Sequence, residues 1–139
     1  MSIQGALYTY LVNNTAVSAL VSSRVYPAGN VPTSASMPYI TYQRIDNVHE
    51  RHMEGSAGLA HPRYQLNIVA DTELEAHGVV EAVRGALDSF RGELGEGSNM
   101  ATVRGAFLED DRDLPQTPTD ATEAGPHGVA MDFIIWHTE

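Results

Sequence analysis

Polar and apolar residues alternate along Arg63-Tyr64-Gln65-Leu66-Asn67-Ile68, the period of a strand with one buried face. Val69 breaks the alternation on the polar side. Asp71-Thr72-Glu73-Leu74-Glu75 then changes the period. Thr72 can cap the free amides of a first helical turn, Glu75 can close a capping box, and Glu73 and Glu75 suit the positive end of the helix dipole. Ala76, Val79, Val80, Val83, Ala86, Leu87 and Phe90 recur at spacings of three and four. His77, Glu81, Arg84, Asp88 and Arg91 fall largely outside that stripe. Such a helix buries its stripe most simply on the sheet that holds Tyr64, Leu66 and Ile68.

The same reading places a first helix on Ile3, Ala6, Leu7, Tyr10 and Leu11, ending near Asn13-Asn14. A second, short helix is capped by Thr15 and has Val17, Leu20 and Val21 on one side. Arg24-Val25-Tyr26-Pro27 is a brief extended piece, because proline pushes its predecessor out of helical space. Residues 28–37 read as loop and residues 39–48 as a first long strand after Pro38. A polar connection over 49–60 joins it to the 62–70 strand as a long-looped hairpin. Gly92, Gly95, Gly97 and Ser98 form a flexible turn. Residues 100–108 are a weaker strand, interrupted by Gly105 and ending in the charged run Glu109-Asp110-Asp111-Arg112-Asp113. Residues 114–128 form a second long loop, of a length that is usually functional or disordered. The last strand, residues 129–137, sets Val129, Met131, Phe133 and Ile135 against Ala130, Asp132, Ile134 and Trp136.

The expected fold is a single α+β domain over residues 1–139: a mainly antiparallel four-stranded sheet with helices packed on one face. A sheet covered on one side should have a polar second face. Here that face carries Ile45, Val69, Ile134 and Trp136, so a neighbouring subunit or partner is expected to cover part of it. His49 and His52, on the adjoining loop, join these four as candidate interface residues.

Charge and composition narrow the function. The formal net charge is −10, from 18 acidic and 8 basic residues, and there is no lysine. A nonspecific grip on nucleic acid needs basic residues that displace condensed counterions, so it is excluded as a primary role. Cysteine is absent, which removes disulfides and thiolate metal sites. No apolar run approaches the ~20 residues that span a bilayer, and the N-terminus has no secretory signal pattern. The reading is synthesis in the cytoplasm with no membrane association.

Candidate chemistry is thin. His49-Glu50-Arg51-His52 is one residue short of the metalloprotease spacing and lies in a loop without a third ligand nearby. His61, His77, His127 and His137 are scattered and read as surface positions. No nucleophile elbow and no phosphate-binding glycine loop occur. Glu109 to Asp113 lacks the ligand alternation and turn glycine of a calcium loop. The six tyrosines lack the interleaved basic residues of a base-stacking surface. No catalytic, metal-binding or cofactor-binding residues are assigned. A small metal-dependent enzyme and a monomeric cytoplasmic binding module are kept as alternatives to an assembly protein.

Several segments in order resemble a known family. After the leading helix come Ala16-Val17-Ser18-Ala19-Leu20-Val21 and Arg24-Val25-Tyr26-Pro27, then Met37-Pro38-Tyr39-Ile40-Thr41-Tyr42-Gln43. Arg63-Tyr64-Gln65-Leu66-Asn67-Ile68 and Glu81-Ala82-Val83-Arg84-Gly85-Ala86-Leu87 follow. Together, over about residues 1–92, they resemble the tail completion (tail terminator, tail-to-head joining) proteins of long-tailed bacteriophages and prophages. The resemblance implies a structural virion protein and no enzyme. It implies a homo-hexameric ring at the head-proximal end of the tail, in contact with the tail tube protein and the head-tail connector or stopper. DNA would pass through such a ring without specific binding. Glu109, Asp110 and Asp111 are then candidates to face the channel and repel phosphates.

Overall fold

A computed structural model of the chain describes residues 3–32, 35–53, 55–95, 100–115 and 127–138, with the backbone alone at His52, Ser56, Ala57, Leu114 and Pro115. In chain order the elements are α1 (Ile3–Asn13), α2 (Thr15–Val21), β1 (Val25–Pro27), β2 (Tyr39–His52), β3 (Gly55–Ala70), α3 (Glu73–Leu87), β4 (Gly92–Leu94), β5 (Ala101–Pro115) and β6 (His127–Thr138). All six strands belong to one sheet, in the order β1-β2-β3-β6-β5-β4. The expected four-stranded, mainly antiparallel sheet is therefore corrected to a six-stranded mixed one.

The two additional strands are the edges. β1 runs parallel to β2, with Val25 beside Ile40. Residues 28–38 return the chain to the same end of the sheet, a connection of the dozen or so residues that a parallel pair needs. β4 pairs antiparallel with β5, with Glu93 beside Thr102. At three residues each, neither strand is long enough to display a period of two.

The long strands outrun their expected limits. β2 and β3 stay paired from Tyr39 with Val69 out to His52 with Gly55. The expected 49–60 loop is thus the outer half of a hairpin. β6 follows β3 only as far as Leu59 opposite Thr138. Residues 49–53 and 55–58 accordingly project as a two-stranded arm beyond the last described residue of β6. An arm wetted on both faces needs no apolar alternation, which is why its sequence reads as loop. β5 likewise continues through the acidic run to Pro115, opposite His127. Both ends of the expected 114–128 loop are strand, and residues 116–126 lie outside the described residues.

The core joins one sheet face to the helices. Tyr64, Leu66 and Ile68 of β3 are buried with Met131, Phe133 and Ile135 of β6. Ala76, Val79, Val80, Val83 and Leu87 of α3 close over the sheet as the stripe predicts. Burying each larger aliphatic contributes about 1.5–3 kcal/mol relative to exposure. The Thr72 hydroxyl caps α3, accepting from the Glu75 amide at 3.2 Å. α2 begins one residue earlier than expected: Asn14 is its cap, accepting from the Val17 amide at 3.1 Å. Leu20 is exposed rather than inward. The Tyr10 hydroxyl donates to the Ala86 carbonyl at 2.7 Å, and its ring lies 5.0 Å from Phe90, which locks α1 onto α3.

Candidate functional site

The helices take one side of the sheet, and no element among the described residues covers the other. By strand alternation its residues are His61, Arg63, Gln65, Asn67 and Val69 on β3, and Ala130, Asp132, Ile134 and Trp136 on β6. The face divides into zones. Its middle is polar: Arg112 Nη1 donates to Asp110 Oδ2 at 3.0 Å and to Asp132 Oδ2 at 3.1 Å, and Arg63 Nη1 lies 3.5 Å from the same Asp132 oxygen. Asp132 thereby links β3, β6 and β5. Its bond to Arg112 is the main reason that guanidinium titrates above its usual range. The Gln65 amide donates to Asn67 Oδ1 at 2.9 Å.

One end of the face is aromatic. The Trp136 indole stacks on the His61 ring at 4.0 Å and 17°. His61 Nε2 is 2.7 Å from Glu50 Oε1, so the stack also ties the base of the arm to β6. Gly105 pairs with Trp136, and Phe107 pairs with Ile134. A Cβ on Gly105 would fall 2.8 Å from the Phe107 ring. Absence of a side chain at Gly105 lets that ring lie across the strand. Trp136, Ile134 and Phe107 therefore form one apolar patch, and Phe107 and Val48 are 45% and 44% exposed. At the arm's tip Met53 is fully exposed.

Of the six expected interface residues, the structure brings Ile134 and Trp136 together. Val69 lies at the opposite end of the face, opposite Gly128 and Tyr39. Residues 61 to 69 span roughly 26 Å of strand at the usual rise. Ile45 is exposed at a bulge between Arg44 and Asp46. Beyond that bulge Asp46 and Val48 oppose Arg63 and His61, so Val48 takes the uncovered face. His49 opposes Ala60, on the helix side, and the His52 side chain lies outside the described residues. Phe107 and Val48 escaped the sequence reading because bulges shift the alternation on β5 and β2. The acidic run is divided as well: Asp110 opposes Asp132 on the uncovered face, Asp111 opposes Met131 on the helix side, and Glu109 sits at a bulge.

Among the described residues, one group of side chains converges as metal ligands would, and it does not include His49. It comprises His77 of α3, Asp113 of β5 and His127 of β6, whose donor atoms all lie within 4.8 Å of one another. His77 and His127, read from sequence as unrelated surface residues, are thus neighbours. Also among the described residues, no helix is long and apolar enough to cross a membrane.

The sequence profile of the family described as "Tail completion protein gp17" matches residues 5–137. The fold is similar to a chain in a solved structure described as "Virion of native gene transfer agent (GTA) particle", with a TM-score of 0.77, covering 99% of this chain and 96% of that one at 18% sequence identity. No curated protein sequence matches the chain. The family match defines a structural protein of phage-type tails, a component of the virion. The chain belongs to the tail completion protein gp17 family.

Proposed function

We propose that the chain closes into a six-membered ring on the head-proximal end of the tail tube. There it stops tube polymerisation and joins the tail to the connector or stopper of the neck. The observation that carries this reading is the Trp136, Ile134 and Phe107 patch on an uncovered face, set beside an arm of different chemistry. A ring closed by rotation needs two dissimilar, mutually complementary surfaces on every subunit. The patch, with Val48 on the same face, supplies apolar area, and the arm supplies Met53 and the outer edge of β2. Beyond Tyr42 that edge is flanked by no strand among the described residues, which suits strand addition by a neighbour. Family membership, together with a fold similar to that of a chain from a virion particle, supports the setting.

Mass photometry and native mass spectrometry of the purified chain test the ring. A species of six protomers is expected. The double substitution Trp136→Ser and Ile134→Ser, at positions outside the core, is expected to give folded monomers with unchanged circular dichroism. Six-protomer particles that persist unchanged in the double variant would remove the patch from the contact.

A further inference from the structure

We propose that His77, Asp113 and His127 form a binding site for a divalent transition-metal ion of the zinc type. Asp113 Oδ1 lies 3.4 Å from His127 Nε2 and 3.6 Å from His77 Nε2. A tetrahedral ion with bonds of about 2.0–2.1 Å sets its donors about 3.3–3.4 Å apart. These two separations are near the spacing that a single ion imposes, and all three donor atoms lie within 4.8 Å of one another. Two imidazoles and one carboxylate, without thiolate, form the ligand set of zinc and similar borderline metals rather than of calcium or magnesium.

Two further observations point to an ion. His127 Nε2 is buried and makes no hydrogen bond among the described residues, although Asp113 is near: the separation is short but the geometry is not that of a hydrogen bond. A buried ring nitrogen without a partner is unfavourable, and coordination would satisfy it. Glu73, one helical turn before His77, places Oε1 3.8 Å from His77 Nε2 and offers a fourth ligand. Beside the cluster lies a cavity of about 220 Å³ bordered by His77, Asp113, Val80 and Asp111. It leaves room for water or a partner's side chain in an open coordination position.

The three ligands come from α3, β5 and β6. An ion here would fasten the helix to the mouth of the β5–β6 hairpin and fix the chain on both sides of residues 116–126. All of its ligands lie within one chain, so the site does not depend on the ring.

The test is calorimetric titration of the full chain, purified without a histidine tag and stripped with chelator, using zinc chloride alone. One ion per chain is expected, with a rise in thermal midpoint. His77→Ala and Asp113→Asn, at exposed positions where folding should survive, are each expected to weaken binding by at least about tenfold, and His49→Ala to leave it unchanged. Cobalt substituted for zinc should give the visible absorption of a tetrahedral site, absent in His77→Ala. No binding up to millimolar zinc would overturn the assignment. Equal binding by wild type, His77→Ala and Asp113→Asn, or loss in His49→Ala alone, would overturn it too.

Discussion

Tyr64 shows how a single side chain sets conditions for the whole sheet. It is fully buried beneath the helices, and its hydroxyl has no hydrogen-bond partner among the described residues. Burial, opposed by the charge of Arg44, pushes its pKa up from 10.0 to about 12. Below pH 10 the residue is neutral in both folded and unfolded chains. Between about pH 10 and 12 the unfolded chain ionises first, so stability falls as pH rises, by roughly 2–3 kcal/mol in all. Tyr64→Phe is expected to remove this part of the alkaline loss. At neutral pH the variant should be as stable as wild type or up to about 1 kcal/mol more so, because the uncompensated hydroxyl is gone. Urea unfolding at pH 7 and pH 11 checks both statements. A neutral-pH loss above about 1 kcal/mol would mean the hydroxyl has a partner. Residues whose role follows from a local period, such as Tyr64, Val79 or Phe133, were legible in the sequence. His77, Asp113 and His127 were not, since only the pairing of β5 with β6 under α3 brings them together.

At the scale of elements, the start of α3 was legible to the residue because its cap is a local signal, whereas the helix stops at Leu87, short of the Phe90 to which the stripe ran. The arm, β4 and the outer half of β5 were not legible, and β1 was read as a brief extended piece without its pairing to β2. Residues 109–115 are held extended by β6 and by the Arg112 bridge rather than by their own propensity. Nearby, the exposed edge of β5 is sealed without a strand: Ser89 donates to the Ala106 carbonyl, Ala106 donates to the Phe90 carbonyl, and the Leu108 amide donates to Asp88 Oδ1 at 3.1 Å. We propose that the acidic end of β5 faces the channel of the ring and keeps DNA phosphates from adhering. Replacing Glu109, Asp110 and Asp111 together by Gln, Asn and Asn should leave the ring assembled, since exposed ion pairs contribute about 0–1 kcal/mol. Genome passage should change, and ejection kinetics measured on variant virions would read it. Kinetics identical to wild type would exclude these residues from the channel.

At the scale of the whole molecule, the described helices lie on one face of the six-stranded sheet and leave the other without a helix among the described residues. The two central hairpins and the helical cover were legible in the sequence, because each buries an apolar face. So was the second face's excess of apolar residues over what water favours. Periodicity alone placed that excess in four scattered residues, whereas bulges and register gather it at one end, around Trp136 and Phe107.

The most direct measurement is cryo-electron microscopy of tail tubes assembled with and without the purified chain. A six-fold ring of density is expected on one end of each tube, with tubes that no longer lengthen and an apolar subunit contact that includes Trp136. Tubes that bind the chain along their sides, or grow at both ends in its excess, would contradict it.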